Sequence, residues 1–190
     1  MITNVLLTGV GGQGTILTTK ILSAGLAQLG YDVKMSEIHG MSQRGGTVNT
    51  QLRYGEKVYA PNIGLGEADY VVSFEKAEAL RALPYLKRGG VVLMDDKEIA
   101  PLSVLTGQAE YPHQVAEPLQ AVASQVLVVP AAKLAEGLGS ARAQNICLLG
   151  ALVKALGLAS FDWEALITGM VPPKTVEGNL AAFRAGQAAV

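Results

Sequence analysis

The chain has 190 residues, of which 49% are hydrophobic, and its 15 basic and 16 acidic residues give a net charge of −1. This length predicts one domain over 1–190, and the balanced charge without a basic stripe argues against nucleic acid as a partner. Charges interrupt every apolar run before the ~18 residues that a membrane span needs. We therefore expect a cytoplasmic protein, and a start that enters a strand without a basic region or cleavage site favours the same location.

The chain opens with a short apolar strand, 4–8, that runs into a glycine loop, 9–14. The glycine spacing fits the dinucleotide fingerprint, in which the glycines allow a tight turn, close backbone approach and helix packing. A helix is predicted over 15–29, and its free N-terminal amides would face the loop. A Walker-type loop fits less well because Thr15 stands where the lysine should be. The loop predicts an anion site formed by Gly9, Gly11, Gly12, Gln13 and Gly14.

A second strand, 32–36, completes a predicted β-α-β unit and leads into a second glycine-rich loop, 38–46. Glu37 lies 23 positions after Gly14, roughly where a Rossmann fold places the acid that binds a ribose hydroxyl. Loops that follow neighbouring parallel strands can lie side by side, so we expect the second loop to close over a ligand held by the first. Its arginine offers a planar donor fork for a phosphate or a carboxylate, although a solvated arginine in a turn is the simpler alternative. The residues assigned to this closing element are Ser42, Gln43, Arg44, Gly45 and Gly46.

The rest of the chain continues to alternate between strands and helices. A strand over 47–53 with a hairpin turn and short return over 54–59 predicts an antiparallel insertion. Further strands are predicted at 70–74, 91–94 and 126–129, helices at 76–86, 119–124, 130–135, 141–156, 163–169 and 175–185, and loops with short strands over 97–118. The fold class is therefore α/β: a Rossmann-like, mostly parallel sheet with helices on both faces, a small antiparallel insertion and a ligand crevice at the carboxyl ends of the strands.

Residues for complete catalysis are scarce. His39 and His113 lie in unrelated predicted loops without a matching metal-ligand set, and Asp95-Asp96, at a strand end, fits helix capping as well as ligand binding. Cys147 is the only cysteine and sits in an apolar helical pattern, which favours core packing and leaves no cluster ligands. The sequence has no nucleophile elbow, paired acids or thiamine diphosphate motif, so we do not expect this chain to catalyse a reaction alone.

Three segments taken together, the loop 9–14, Ser36-Glu37 and the loop 40–46, are typical of one family. They resemble the gamma subunit or domain of the 2-oxoacid:ferredoxin oxidoreductases, with the beta subunits of the indolepyruvate enzymes most similar, and the resemblance extends over nearly the whole chain. Such enzymes convert a 2-oxoacid and coenzyme A into acyl-CoA, CO2 and reduced ferredoxin. The resemblance implies that thiamine diphosphate, Mg²⁺ and the iron–sulfur clusters belong to a large catalytic partner subunit, and that ferredoxin is reached through the complex.

For this chain the resemblance implies no cofactor of its own, a part in binding coenzyme A as substrate, and completion of the shared active site. An NAD(P)-binding dehydrogenase domain is an alternative that the fingerprint and Glu37 support. A non-catalytic scaffold, whose glycine loops only pack against the catalytic subunit, is another. The sequence does not identify the 2-oxoacid.

Overall fold

The computed structural model describes residues 1–39 and 46–190, and within them six strands form one sheet. The strands are β1 (Ile2–Val10), β2 (Asp32–His39), β3 (Thr47–Gly55), β4 (Ala68–Ser73), β5 (Leu86–Asp95) and β6 (Gln125–Val129). The described α-helices are α1 (Thr15–Gln28), α2 (Lys76–Ala82), α3 (Leu102–Leu105), α4 (Ala116–Gln120), α5 (Ala131–Gly137), α6 (Gln144–Ala155), α7 (Trp163–Met170) and α8 (Val176–Ala188). No described helix combines the length and apolarity needed to cross a membrane.

The strand order is β2-β3-β1-β4-β5-β6. β1, β4, β5 and β6 are joined by parallel ladders, whereas β3 is antiparallel to both of its neighbours. The predicted α/β Rossmann-like class is confirmed, with the antiparallel insertion placed inside the sheet as β3. Helices cover both faces. Because β1, β4, β5 and β6 are parallel, their carboxyl ends lie at one edge of the sheet.

The expected hairpin return over 54–59 is wrong. β3 ends at Gly55 and pairs with β2 instead, while residues 56–67, all of them described, form no strand. Most of β3 is buried, so it needs partners along both edges, and β1 and β2 occupy them.

Alternate residues of the central strand β1 point to opposite faces of the sheet and pack into two separate apolar cores. Val5 and Leu7 face a large core built with α1, α6, α7 and α8, whereas Leu6 faces a smaller one built with α2 and α4. Cys147 is fully buried in the large core, which supports the packing interpretation, and burial raises the pKa of its thiol to about 12. A protonated, enclosed thiol is poorly suited to nucleophilic or ligand chemistry.

Several predicted boundaries differ from the structure, most clearly between residues 76 and 124. The helix expected to reach residue 86 ends at Ala82 because Pro84 follows, and β5 already begins at Leu86. The described segment 97–118 contains α3 and the start of α4 instead of short strands. It belongs to the crossover between the parallel strands β5 and β6, and such connections usually carry a helix rather than a strand. The helix predicted over 119–124 is α4, which starts earlier and ends at Gln120.

Candidate functional site

Two glycines of the first loop have a left-handed backbone for different reasons. Gly12 has a φ of 100°, and a Cβ placed on it would meet no heavy atom of the described chain within 4 Å. Gly14, at the N-cap of α1, has a φ of 82°, and its Cβ would lie 2.7 Å from Nδ2 of the nearly buried Asn145. Gly14 is therefore required by packing, whereas no described residue blocks the approach of a ligand to the Gly12 backbone.

Gly9 and Gln13 brace the loop from inside. A Cβ on Gly9 would lie 3.0 Å from Oε1 of Gln13. The Gln13 side chain accepts a hydrogen bond from the Val10 amide at 2.7 Å and donates one to the Phe74 carbonyl oxygen, also at 2.7 Å. Both ends of this amide are engaged with the protein, so the ligand contact predicted for Gln13 rests on the sequence alone. What the side chain does in the structure is fasten the loop to the carboxyl end of β4.

The end of the second loop contacts the first, but not through neighbouring parallel strands as expected: Gly46 directly precedes β3, whose Thr47 pairs with Val10 at the end of β1. The Gly11 amide donates to the Gly46 carbonyl oxygen at 2.9 Å. Ser42, Gln43, Arg44 and Gly45 lie outside the described residues, so their predicted role as a closing element stays a prediction.

Glu37 does not lie where the dinucleotide fingerprint needs it. It is exposed on β2 and pairs with Thr50 of β3, which stands between β2 and β1. Two ladder spacings of about 4.8 Å each therefore separate the Glu37 backbone from β1. In a dinucleotide-binding fold the acid follows a strand directly beside the first one, and this displacement weakens the NAD(P) alternative.

A cleft of about 870 Å³ lies beside the first loop. Its walls are the loop itself and two distant segments, the 3₁₀ turns Ala141–Ala143 and Pro173–Thr175, which lead into α6 and α8. The starts of α1, α6 and α8 thus border one space, and each helix is long enough to present a positive dipole end. None of the described residues that line the cleft is acidic, and its cationic side chains are Lys97, Arg142 and Lys174. This combination attracts a polyanion.

Sequence reasoning missed these three cations because they lie far from the glycine loop along the chain. A local signal was present, however. Arg142 and Lys174 stand at the starts of predicted helices, where the helix dipole favours acidic residues. Basic residues at two helix starts are unfavourable locally, and an anion between them would offset that cost.

The strand-end aspartates have structural roles. Asp95 is fully buried, and its Oδ2 accepts hydrogen bonds from the Ala132 amide at 3.0 Å and from Nε2 of Gln144 at 2.7 Å. Burial raises the pKa of Asp95 to about 6. Asp96 forms an ion pair with Lys133. The bond from Ala132, in the first turn of α5, agrees with the capping interpretation of this pair.

The histidines lie apart. His39 is the last residue of β2, not part of a loop as expected, whereas Nδ1 of the exposed His113 lies 3.0 Å from Oε2 of Glu98. Within residues 1–39 and 46–190, no cluster of three or more His, Cys, Asp or Glu side chains could hold a metal ion.

A second cavity, of about 300 Å³, opens beside α2 and α3 and has the opposite character. Two nearly buried carboxylates, Glu75 and Glu78, line it. Glu75 caps α2 by accepting from the Glu78 amide at 2.9 Å and also accepts from the Tyr111 hydroxyl. Burial raises the pKa of Glu78. Arg81 also lines this cavity but is paired with Glu78, so Glu75 leaves an excess of negative charge that disfavours phosphate. The larger cleft is therefore the candidate site.

The fold is a Rossmann-like α/β fold, and a cleft lined by cations lies at the carboxyl ends of its parallel strands. The family model for pyruvate ferredoxin/flavodoxin oxidoreductase matches residues 4–189. The chain belongs to that family, which confirms the predicted family resemblance and the oxidoreductase class.

Two full-length relatives illustrate the similarity. The indolepyruvate oxidoreductase subunit IorB of Thermococcus kodakarensis is 38% identical over 96% of this chain and 93% of its own length. The protein of the same name from Methanothermobacter thermautotrophicus is 37% identical over 96% of this chain and 95% of its own.

Solved structures show the same fold. The pyruvate oxidoreductase subunit PORC of Thermotoga maritima has a TM-score of 0.73 at 19% identity, with 98% of this chain and 96% of that chain covered. The 2-oxoglutarate:ferredoxin oxidoreductase of Magnetococcus marinus, solved with 2-oxoglutarate, coenzyme A and succinyl-CoA bound, has a TM-score of 0.77 at 20% identity. It matches 99% of this chain with only 31% of its own, so there the fold is one part of a longer polypeptide.

Proposed function

We propose that this chain is the small subunit of a 2-oxoacid:ferredoxin oxidoreductase, with indolepyruvate as the 2-oxoacid, and that its cleft binds coenzyme A for the shared active site. The observation that carries the proposal is the convergence of Lys97, Arg142 and Lys174 with three helix starts on one cleft beside Gly12, where a Cβ would meet no described atom within 4 Å. The choice of indolepyruvate as the 2-oxoacid rests on the names of the similar proteins.

Coenzyme A suits the cleft by charge and by size. Its diphosphate and 3′-phosphate carry several negative charges, and charge-assisted hydrogen bonds from arginine and lysine are the usual way to hold them. The cleft volume of about 870 Å³ lies within the range of ordinary ligand sites. Helix amides and cations would therefore fix the phosphates and leave the thiol arm free to extend towards the catalytic partner.

The redox cofactors belong to the partner in this proposal. An iron–sulfur cluster is typically held by four cysteine thiolates, whereas this chain has one cysteine, buried in the core. A large catalytic subunit would hold thiamine diphosphate with Mg²⁺, which supplies the decarboxylation chemistry, and the clusters that lead electrons to ferredoxin. The chain would then be inactive by itself.

The scaffold alternative, in which the glycine loops only pack against the catalytic subunit, needs a direct test, because the contacts of Gly9, Gln13 and Gly14 within this chain do not require a ligand. Calorimetric titration of coenzyme A into the complex purified with its partner separates the two functions. Replacing Arg142 by alanine removes one charge-assisted contact worth about 1.5–3 kcal/mol, which corresponds to a roughly ten- to hundredfold weaker affinity.

Arg88→Ala is the matched control, since Arg88 is an exposed arginine on β5 near its amino end, away from the cleft. The proposal predicts unchanged affinity for that variant. If the assembled Arg142→Ala complex binds coenzyme A as tightly as the wild type, the cleft does not hold coenzyme A and the scaffold function gains support.

A further inference from the structure

Two glutamines from different walls of the cleft meet at one backbone oxygen. Gln13, in the glycine loop, donates to the Phe74 carbonyl oxygen at 2.7 Å. Gln144, the first residue of α6, donates to the same oxygen at 2.9 Å. Phe74 directly follows β4. The glycine loop and the start of α6 are therefore joined through a single acceptor at the strand edge.

The Gln144 side chain reaches two further groups. Its Nε2 also donates to Oδ2 of Asp95 at 2.7 Å, and its Oε1 lies 3.4 Å from Nζ of Lys97, within range to accept a hydrogen bond. Gln144 is 5% exposed and Asp95 is fully buried. The arrangement fixes the orientation of the amide, because a flipped Gln144 would turn its oxygen towards the Phe74 carbonyl and the Asp95 carboxylate.

We propose that Gln144 is a positioning residue for the anion cleft: it ties the start of α6 to the ends of β4 and β5 and aims the Lys97 ammonium into the cleft. This inference rests on the proposed coenzyme A function. The bonds to Phe74 and Asp95 hold the amide, and its oxygen then holds the lysine. The Gln144 amide, fixed at the strand ends, thereby sets the direction of the flexible Lys97 side chain.

We expect Gln144 to increase the affinity for coenzyme A by preorganising the Lys97 side chain. A free lysine side chain loses rotamer freedom when it binds a phosphate, and ordering it beforehand lowers that cost. Immobilising one such side chain corresponds to roughly a two- to tenfold change in affinity. Gln144 acts on affinity through Lys97, so replacing Gln144 should weaken coenzyme A binding only when Lys97 is present.

The test is a double-mutant cycle on the complex, with coenzyme A affinity measured by calorimetry and thermal stability measured in parallel. Gln144→Met keeps a similar length but has no donor or acceptor of comparable strength. We expect it to weaken coenzyme A binding two- to tenfold in the wild-type background and less than twofold in the Lys97→Ala background. Gln125→Met is the control, because Gln125 is exposed at the start of β6 and does not line the cleft.

Gln144→Asn is the second variant, for use if the methionine chain does not assemble. It keeps the amide but shortens its reach by one methylene, and the same dependence on Lys97 is expected. Equal losses of affinity in both backgrounds would contradict the positioning role, as would a lower melting temperature with unchanged affinity. If Arg142→Ala weakens binding but both Gln144 variants bind normally, only this inference fails. Unchanged affinity in Arg142→Ala would remove the proposed function and this inference together.

Discussion

The two left-handed glycines of the first loop give a prediction in which stability and binding separate. Either substitution, Gly12→Ala or Gly14→Ala, forces an alanine into a left-handed backbone, at a cost of about 1–2 kcal/mol. At Gly14 the new Cβ also lies 2.7 Å from Nδ2 of Asn145, which is 4% exposed and has little room to move. Overpacking of this kind adds roughly 1–3 kcal/mol. Gly14→Ala should therefore lose about 2–5 kcal/mol in total, against about 1–2 kcal/mol for Gly12→Ala.

Thermal unfolding of the two variants tests this difference. For a chain of this size, 1 kcal/mol shifts the melting temperature by roughly 2–4 °C. The expected losses are therefore roughly 2–8 °C for Gly12→Ala and 4–20 °C for Gly14→Ala. Coenzyme A binding should nevertheless suffer in Gly12→Ala, whose methyl group occupies the open approach to the loop. A Gly12→Ala chain that is as unstable as Gly14→Ala, or that binds coenzyme A normally in the complex, would refute this reasoning.

Three further predictions concern the body of the fold. Gly186→Ala should lower the free energy of unfolding by about 3 kcal/mol or more in denaturant, because its Cβ would overlap the Cys147 carbonyl oxygen where α8 meets α6. Gly169→Ala, whose Cβ would meet no described atom within 4 Å, should instead stabilise the chain by about 0.4–1 kcal/mol. Similar effects at both glycines would contradict the close approach of α8 to α6. Glu75→Ala should lower the free energy of unfolding by about 2–4 kcal/mol through loss of the α2 cap and two further bonds, and a loss below about 0.5 kcal/mol would speak against it. The raised pKa of Asp95 means that this carboxyl stays protonated in the native state up to about pH 6. The proton's contribution to the free energy of unfolding, about 3 kcal/mol, is therefore present below about pH 4 and is lost as pH rises through 6. Asp95→Asn should flatten this part of the stability profile, and an unchanged profile would show that Asp95 is not the source of the pH dependence.

Local sequence signals were sufficient for the first part of the site. The strand before Gly9, the glycine spacing and the helical spacing of apolar residues after Gly14 all act within about 25 residues, and the structure has β1, a left-handed turn and α1 there. Composition likewise indicated the core position of Cys147. These features depend on backbone geometry and burial, which neighbouring residues largely determine.

The rest of the site depends on partners far apart in the chain. Alternation identified the strand from Thr47, but it could not show that β3 would separate β2 from β1 and displace Glu37. Arg142 and Lys174 border the same cleft as the glycine loop because α6 and α8 pack closely against each other. No local sequence pattern indicates that packing. Gln13 fitted a ligand loop by its position, yet its amide is used to hold that loop to β4.

We propose that this chain provides the coenzyme A site of an enzyme whose redox chemistry takes place in its partner. Steady-state kinetics of the complex carrying Arg142→Ala and Lys174→Ala together test this proposal, with KM measured separately for coenzyme A and for the 2-oxoacid. We expect KM for coenzyme A to rise by at least about a hundredfold, since two charge-assisted contacts are lost, while KM for the 2-oxoacid stays at the wild-type value. An unchanged KM for coenzyme A, or an equal rise for both substrates, would contradict it.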